Sequence, residues 1–175
     1  DPWPELHGLY LGGGFPETQA ETIASRADVR ARIKTLADAG LPIYAECGGF
    51  MYLAEALEFH GRRFPMAGVL PVQTSLCRRP QGLGYVVATV RRENPFHPLG
   101  SEITAHEFHY SHCPTPPPAD APLCLELSRG TGMGHGLDGI LYRNTFAAYS
   151  HIHALGTPHW ATRFVAAARA HTTHG

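Results

Sequence analysis

The sequence has no surplus of charge of either sign. Fourteen Lys and Arg face fifteen Asp and Glu, a formal net charge of −1, so no global attraction to nucleic acid or to an anionic membrane is expected. It has no apolar run long enough to span a bilayer and no secretory leader pattern, which predicts a cytoplasmic protein. Its four cysteines, Cys47, Cys77, Cys113 and Cys124, lack C-x-x-C spacing, so no zinc pattern is present and a reducing compartment is expected. The glycine loop at residues 12–14 has neither the G-x-G-x-x-G nor the GKS/GKT context, so it is not read as a dinucleotide or Walker cradle. Against these absences stand twelve histidines; they place groups that titrate near neutral pH, and their number alone identifies no metal. A chain of 175 residues is long enough for one substantial core and too short for two compact domains of ordinary size.

The chain is organised around residues 41–50, Leu-Pro-Ile-Tyr-Ala-Glu-Cys-Gly-Gly-Phe. A short apolar run stops at Cys47; beyond two glycines, residues 50–57 carry apolar side chains at helical spacing. The pattern predicts strand, sharp turn, helix. A nucleophile at such a turn stands clear of the backbone, and the glycine after it permits the bend and leaves N–H groups to face a developing oxyanion. The plainer reading of an isolated cysteine is a buried, inert one beside a tight turn.

Residues 6–11 read as the end of a buried strand that runs into Gly12, Gly13 and Gly14, with a helix beginning near Glu17 or Thr18. Three glycines bring N–H groups close to a ligand, either alone or facing another glycine turn such as Gly48 and Gly49, or simply fit a crowded strand-to-helix turn. Residues 18–25 and 28–39 read as helices, the second capped near Asp28 with Val29, Ile33, Leu36 and Ala37 as its apolar stripe. Gly40 ends it and Pro42 starts the extended approach to Tyr44. This order predicts an α/β layer with reactive groups at the carboxyl ends of parallel strands.

Residues 85–90 read as a strand, and the arginine pairs at 78–79 and 91–92 as solvated surface. In an extended segment over 102–111, His106, Phe108 and Tyr110 share one face while Glu107, His109 and Ser111 share the other. Either a polar wall of a site or an inward histidine satisfied by a carboxylate fits this pattern. Residues 114–118 form a rigid proline connection, 123–127 a strand, and 130–136 a glycine-rich turn. Residues 146–153 are the second anchor: a strand that stays extended sends His151 and His153 to the same side, where one of them reaches Cys47. A metal pair is the competing reading, but no third ligand is convincingly placed, so no metal is expected. Pro158 starts a last helix, with Trp160, Phe164, Val165 and Ala168 inward, Arg163 and Arg169 outward, and residues 171–175 fraying.

Four separated motifs, Leu11-Gly-Gly-Gly-Phe-Pro-Glu17, Ala45-Glu-Cys-Gly-Gly49, His106-Glu-Phe-His-Tyr-Ser111 and Tyr149-Ser-His-Ile-His153, resemble the glutamine amidotransferase domain of cobyrinic acid a,c-diamide synthases. The resemblance implies an α/β fold, a three-layer class I amidotransferase-like sheet flanked by helices. It implies that Cys47 attacks the side-chain amide of glutamine and forms a glutamyl thioester, with His151 as its activating partner. Backbone N–H groups near Gly13 and Gly48 are then the oxyanion-hole candidates. The wider family places an acidic residue two positions after the histidine, where this chain has His153. Glu46 and Glu107 are therefore secondary or orienting candidates, and His153 is a fallback for His151. His106, His109 and Tyr110 are candidates for shaping the substrate pocket or a face toward a synthetase.

In that family, ammonia passes to an N-terminal synthetase domain that uses ATP and magnesium to amidate the a and c side chains of a corrin precursor, cobyrinic or hydrogenobyrinic acid. No P-loop is present here, so no cofactor is expected in this domain and residues 1–175 are expected to be a partial amidotransferase domain without its synthetase. The sequence begins without Met just before the glycine loop; an N-terminally incomplete sheet would expose an edge and favour a homodimer. The alternatives are the corresponding domain of cobyric acid synthase or another tetrapyrrole amidase, a catalytically silent module that docks on a synthetase, and an α/β domain whose cysteine is merely buried.

Overall fold

The computed structural model describes residues 3–172. The strands are β1 (Leu9–Leu11), β2 (Ile43–Glu46), β3 (Ala56–Phe59), β4 (Arg62–Pro65), β5 (Gln73–Leu76), β6 (Gly82–Val90), β7 (Glu102–His109), β8 (Ser111–His112), β9 (Leu123–Arg129), β10 (Leu137–Tyr142), β11 (Thr145–Ala148) and β12 (His151–Ile152). The helices are α1 (Ala20–Ser25), α2 (Ala27–Asp38), α3 (Gly48–Leu53) and α4 (His159–Thr172), with a 3-10 turn at Pro16–Gln19 ahead of α1. The main sheet has eight strands in the order β1-β2-β11-β10-β9-β6-β7-β12. It is parallel only where β2 pairs with β1 and β11; from β11 to β12 every pairing is antiparallel. A second sheet of four strands, β4-β3-β5-β8, stands beside it.

The period of two along the central strands sorts side chains into two cores. Ile43, Ala45, Cys47 and Ala147 join Ile33 and Ala37 of α2 and Phe50, Met51 and Leu53 of α3 in one. Tyr44, Phe146 and Ala148 join Val86, Ala88, Val90 and Phe96 in the other, with Trp160 and Phe164 of α4 packed against it. Layers on both faces of one sheet are the three-layer arrangement expected. Full burial of a side chain of the size of Phe50 or Phe146 stabilises the fold by roughly 1.5–3 kcal/mol, so these two clusters fix where the ends of β2 and β11 lie.

Several local expectations are corrected. The helix after Cys47 stops at Leu53, because Ala54 turns extended (φ −61°, ψ 170°) and residues 56–59 pair on both sides, with β4 and β5. Cross-strand pairing overrides the helical spacing read across residues 50–57. The β3–β4 turn has positive φ at both His60 (50°) and Gly61 (68°), the backbone of a two-residue hairpin turn that follows the strand twist. Asp28 does not cap α2; the cap position is Arg26 without a side-chain cap bond, and Asp28 instead forms an ion pair with Arg26. Strand β1 is half-buried rather than buried, with Tyr10 48% exposed. In α4, Val165 is exposed and Ala167 packs inward instead, while Arg163 reaches the Asn94 carbonyl at 3.3 Å. Residues 171 and 172 are helical; the rest of the expected frayed tail lies outside the described residues. Among the described residues, no helix is long and apolar enough to cross a membrane.

Candidate active site

Cys47 occupies the junction between β2 and α3 with φ 45° and ψ −100°. A non-glycine residue held there is strained, and the strain persists only where the surroundings over-determine it. They do so here through backbone contacts. The Cys47 N–H donates to the Ala148 carbonyl at 2.8 Å and its own carbonyl accepts from the Met51 N–H at 2.9 Å. A side chain on Gly48 would collide with the backbone of Gly14, and one on Gly49 with the carbonyl of Leu11. The glycine loop after β1 and the glycine turn after β2 are thus packed backbone to backbone.

The thiol is buried, with Cys47 5% exposed, and its Sγ donates to the Phe108 carbonyl at 3.7 Å. Burial pushes its pKa up to about 12; the Gly48 N–H pulls it down, while the charges of Glu17, Asp138 and Glu46 push it further up. The recess it lines is narrow, about 20 Å³, and is walled by Gly14, Phe15, Glu17, Phe108 and Tyr110 among others. That is room for about one water, and the exposed rings of Phe15, Phe108 and Tyr110 border it. Larger hollows lie elsewhere, including one of about 830 Å³ bordered by Gly40, Asn144 and α4, which Cys47 does not line.

His151 lies on β12, at the edge of the main sheet. Its ring rests on Gly13, where a Cβ would meet it, and stacks on His106 with centroids 4.9 Å apart and planes 10° apart. The stack follows from register, since His151 pairs with His106 between β12 and β7. Desolvation, then the neighbouring His106 and His109, lower the His151 pKa, which keeps the imidazole neutral and able to accept a proton. No hydrogen bond joins it to Cys47 among the described residues; the sulfur is turned to Phe108.

Glu46, adjacent in sequence, faces the opposite side of β2 from Cys47. Its Oε2 is 3.9 Å from His151 Nδ1 and accepts from Tyr10 Oη at 2.7 Å, while Oε1 accepts from the Ile152 N–H at 2.9 Å. Burial raises the Glu46 pKa, opposed by those two hydrogen bonds. Of the orienting candidates it is the one beside His151. Glu107 points to the buried side of β7 and accepts from the N–H groups of Thr131 (2.7 Å) and Gly132 (2.9 Å). Burial pushes its pKa up, but His109 and those N–H groups outweigh it and the net shift is downward. His109 stands against Glu107 at 3.3 Å and stacks on Tyr149 with centroids 3.8 Å apart, so this is the inward histidine satisfied by a carboxylate.

His153 is corrected more sharply. The chain leaves β11 at Tyr149–Ser150, β12 is only two residues long, and the carbonyl of His153 starts a turn by accepting from Gly156 and Thr157. Extended geometry therefore ends before His153, which is exposed and accepts from the Leu155 N–H at 3.3 Å. Tyr110, with His106 and Phe108, lies on the exposed face of the 102–111 segment, at the mouth of the recess.

Two contributors were missed by sequence reasoning. Asp138 of β10, fully buried, accepts from the Tyr149 N–H (3.1 Å), the Ser150 N–H (3.0 Å) and the Ser150 hydroxyl (2.7 Å), and so holds the bend that aims His151. Nothing in the run Leu137-Asp-Gly-Ile separates this aspartate from an ordinary turn residue. Glu17 was read only as a helix start, yet it walls the recess. Among the described residues, no three His, Cys, Asp or Glu side chains are grouped to hold a metal ion.

Known proteins place this geometry in context. A family model for the CobB/CobQ-like glutamine amidotransferase domain matches residues 2–159. The chain is 41% identical over 160 residues to the cobyrinate a,c-diamide synthase of Magnetococcus marinus, covering 91% of this chain and 34% of that protein. It is 40% identical to the cobyrinate a,c-diamide synthase of Archaeoglobus fulgidus over 93% of this chain and 35% of the relative. The chain thus spans about a third of the length of these relatives. Among solved structures it resembles a glutamine amidotransferase (TM-score 0.67, 15% identity, 93% of this chain and 79% of the other) and PurLQS from Thermotoga maritima (TM-score 0.64, 16% identity, 94% and 79%). At these identities the two structures establish the fold: a class I amidotransferase-like mixed sheet flanked by helices.

Proposed function

The chain belongs to the CobB/CobQ-like glutamine amidotransferase family, and from that premise we propose that it hydrolyses the side-chain amide of glutamine through a thioester on Cys47. The observation that carries this reading is the pairing of a strained Cys47 turn with the glycine loop on which His151 rests. His151, neutral by desolvation, takes the thiol proton as sulfur attacks the amide carbon. Negative charge on the former carbonyl oxygen is met by backbone N–H groups near Gly48 and Gly13, fixed dipoles that need no rearrangement. The histidine then gives its proton to the departing ammonia, and water, deprotonated by the same imidazole, opens the glutamyl thioester. A thiol held near pKa 12 in the resting site is a poor nucleophile, so proton transfer to His151 accompanies attack, after the sulfur rotates away from the Phe108 carbonyl. Glu46 is assigned as the orienting acid in place of one after the histidine.

Ammonia is then used by a synthetase in the a,c-diamidation of cobyrinic or hydrogenobyrinic acid, with ATP and magnesium bound there. The residues of this chain do not fit those groups, since it has no phosphate-binding loop. Cobyric acid synthesis is the alternative destination within the same chemistry. A second reading, a catalytically silent module that docks on the synthetase, is favoured by the absence of a Cys47–His151 hydrogen bond. Glutamine-dependent ammonia release, measured together with mass detection of a glutamyl adduct on Cys47 in protein assembled with its synthetase, decides between them. Both products are expected; assembled protein that yields neither is the silent module.

A further inference from the structure

Glu17 is a carboxylate without a counter-charge at the wall of the Cys47 recess. It lies in the 3-10 turn Pro16–Gln19 that the glycine loop leads into, and it shares the recess with Cys47, Gly14, Phe108 and Tyr110. Its Oε2 is shielded from solvent and has no hydrogen-bond partner. Desolvation raises its pKa, and the one opposing contact is its own backbone N–H. Glu17 also borders an outer hollow of about 300 Å³ that contains Arg62, but that guanidinium is engaged by Glu21. Leaving a carboxylate half-buried and unpaired is costly. Here it also opposes the chemistry, because the charge of Glu17 stands first among the acidic groups that disfavour the Cys47 thiolate. Both costs disappear when a cation enters the recess.

Resting on the reading of Cys47 as a glutaminase nucleophile, we propose that Glu17 is the counter-charge for the α-ammonium group of the substrate, so that the site selects free glutamine over glutamine whose α-nitrogen is acylated. The reacting amide and the α-ammonium sit at opposite ends of a short side chain, which matches a nucleophile and a carboxylate on walls of one narrow recess. Arrival of the ammonium neutralises Glu17 while the amide is presented to sulfur. The thiolate is therefore favoured only when the correct substrate is bound. Glu17 is a specificity residue here; it takes no part in bond making.

The test uses covalent labelling of Cys47, which needs no turnover. Protein assembled with its synthetase is treated with the chloromethyl ketone analogue of glutamine, with the N-acetylated form of that ketone, and with uncharged iodoacetamide, and adducts are located by mass. Glu17→Gln is expected to slow labelling by the amino-bearing ketone by about 10- to 100-fold, the worth of one charge-assisted contact. Labelling by the N-acetyl ketone is expected to be slow in both proteins, and labelling by iodoacetamide equal or faster in the variant, which also reports a folded site. Equal losses for the free and acetylated ketones, no loss at all, or a wild type that does not prefer the free amine overturns the proposal. Preference for the free amine that depends on Glu17, in a protein that releases no ammonia from glutamine, upholds the subsite and rejects the hydrolytic reading instead.

Discussion

The elbow after β2 and the bend after β11 sit at the ends of neighbouring parallel strands, paired from Thr145 with Ile43 to Ala148 with Glu46, yet they are fixed by opposite means. The elbow that carries Cys47 is held by what is missing: Gly48 and Gly49 meet the backbones of Gly14 and Leu11 with no space for a side chain. The bend that aims His151 is held by buried carboxylates, Asp138 on the N–H groups of Tyr149 and Ser150 and Glu46 on the N–H of Ile152. Steric exclusion makes the position of Cys47 rigid and intolerant of any added atom. Polar satisfaction makes the position of His151 dependent on hydrogen-bond partners and on pH.

The largest effect tests the steric side. Gly48→Ala drives a Cβ into the backbone of Gly14, which cannot yield as a flexible side chain would. A stability loss of about 3 kcal/mol is expected, with loss of glutaminase activity, read from urea midpoints and ammonia release. A variant that folds and works as well as the wild type means the two glycine loops are not in obligatory contact. Next is Asp138→Ala, which strands two buried N–H groups and a hydroxyl; about 2–3 kcal/mol of destabilisation is expected, with Asp138→Asn milder because one acceptor oxygen remains. If alanine is tolerated, the bend is held by the strands and not by the carboxylate.

A smaller effect is expected at Glu46→Gln. It keeps an acceptor for Ile152 but removes the charge beside His151, and about a tenfold fall in kcat/KM with little change in stability is the expected result. An equal fall in stability would make Glu46 structural rather than orienting. The pH dependence follows from His151 itself. Its pKa is lowered by desolvation, then by His106 and His109, so the neutral base persists below the usual imidazole value of 6.5, and the acid limb of kcat/KM should lie on the acidic side of that value. A limb above it means the ring is charged at rest.

A last effect, absent at neutral pH, lies beneath the elbow. His97 is hydrogen-bonded to Tyr44 Oη at 3.0 Å and to His159 at 3.2 Å, and desolvation, then His159 and Arg163, push its pKa down to about 3. The unfolded chain binds the proton more readily, so stability is complete above about 6.5 and is lost as pH falls toward about 3. His97→Gln should flatten that part of the stability profile, measured by denaturation at successive pH values. An unchanged slope assigns the acid sensitivity to other groups.

Much of the site was legible because it is written in local patterns. The apolar run before Cys47 and the glycines after it specify a strand and a tight turn wherever they occur, and the alternation over 102–111 correctly set His106 and Phe108 against Glu107 and His109. What was illegible depends on partners distant in sequence. Residues 56–59 carry a helical spacing but pair as a strand between β4 and β5, and Val165 fits an apolar stripe that α4 does not bury. His153 looked equivalent to His151 until the chain turned at residue 153. Asp138, Tyr10 and Glu17 have no local signature, since a carboxylate or phenol gains its role from the groups that desolvate it.

The sequence by itself determined that Cys47 stands on a sharp strand-to-helix turn next to backbone free of side chains, because glycine's missing Cβ and the apolar run are properties of the chain read locally. Tertiary structure alone decided which groups its histidines and carboxylates meet. Register between β12 and β7 set His151 on His106, pairing of β2 with β11 brought Glu46 to the backbone of Ile152, and folding of the glycine loop over the elbow carried Glu17 into the recess. Those choices rest on burial and pairing between residues up to 106 positions apart, where desolvation and not sequence spacing assigns each group its charge.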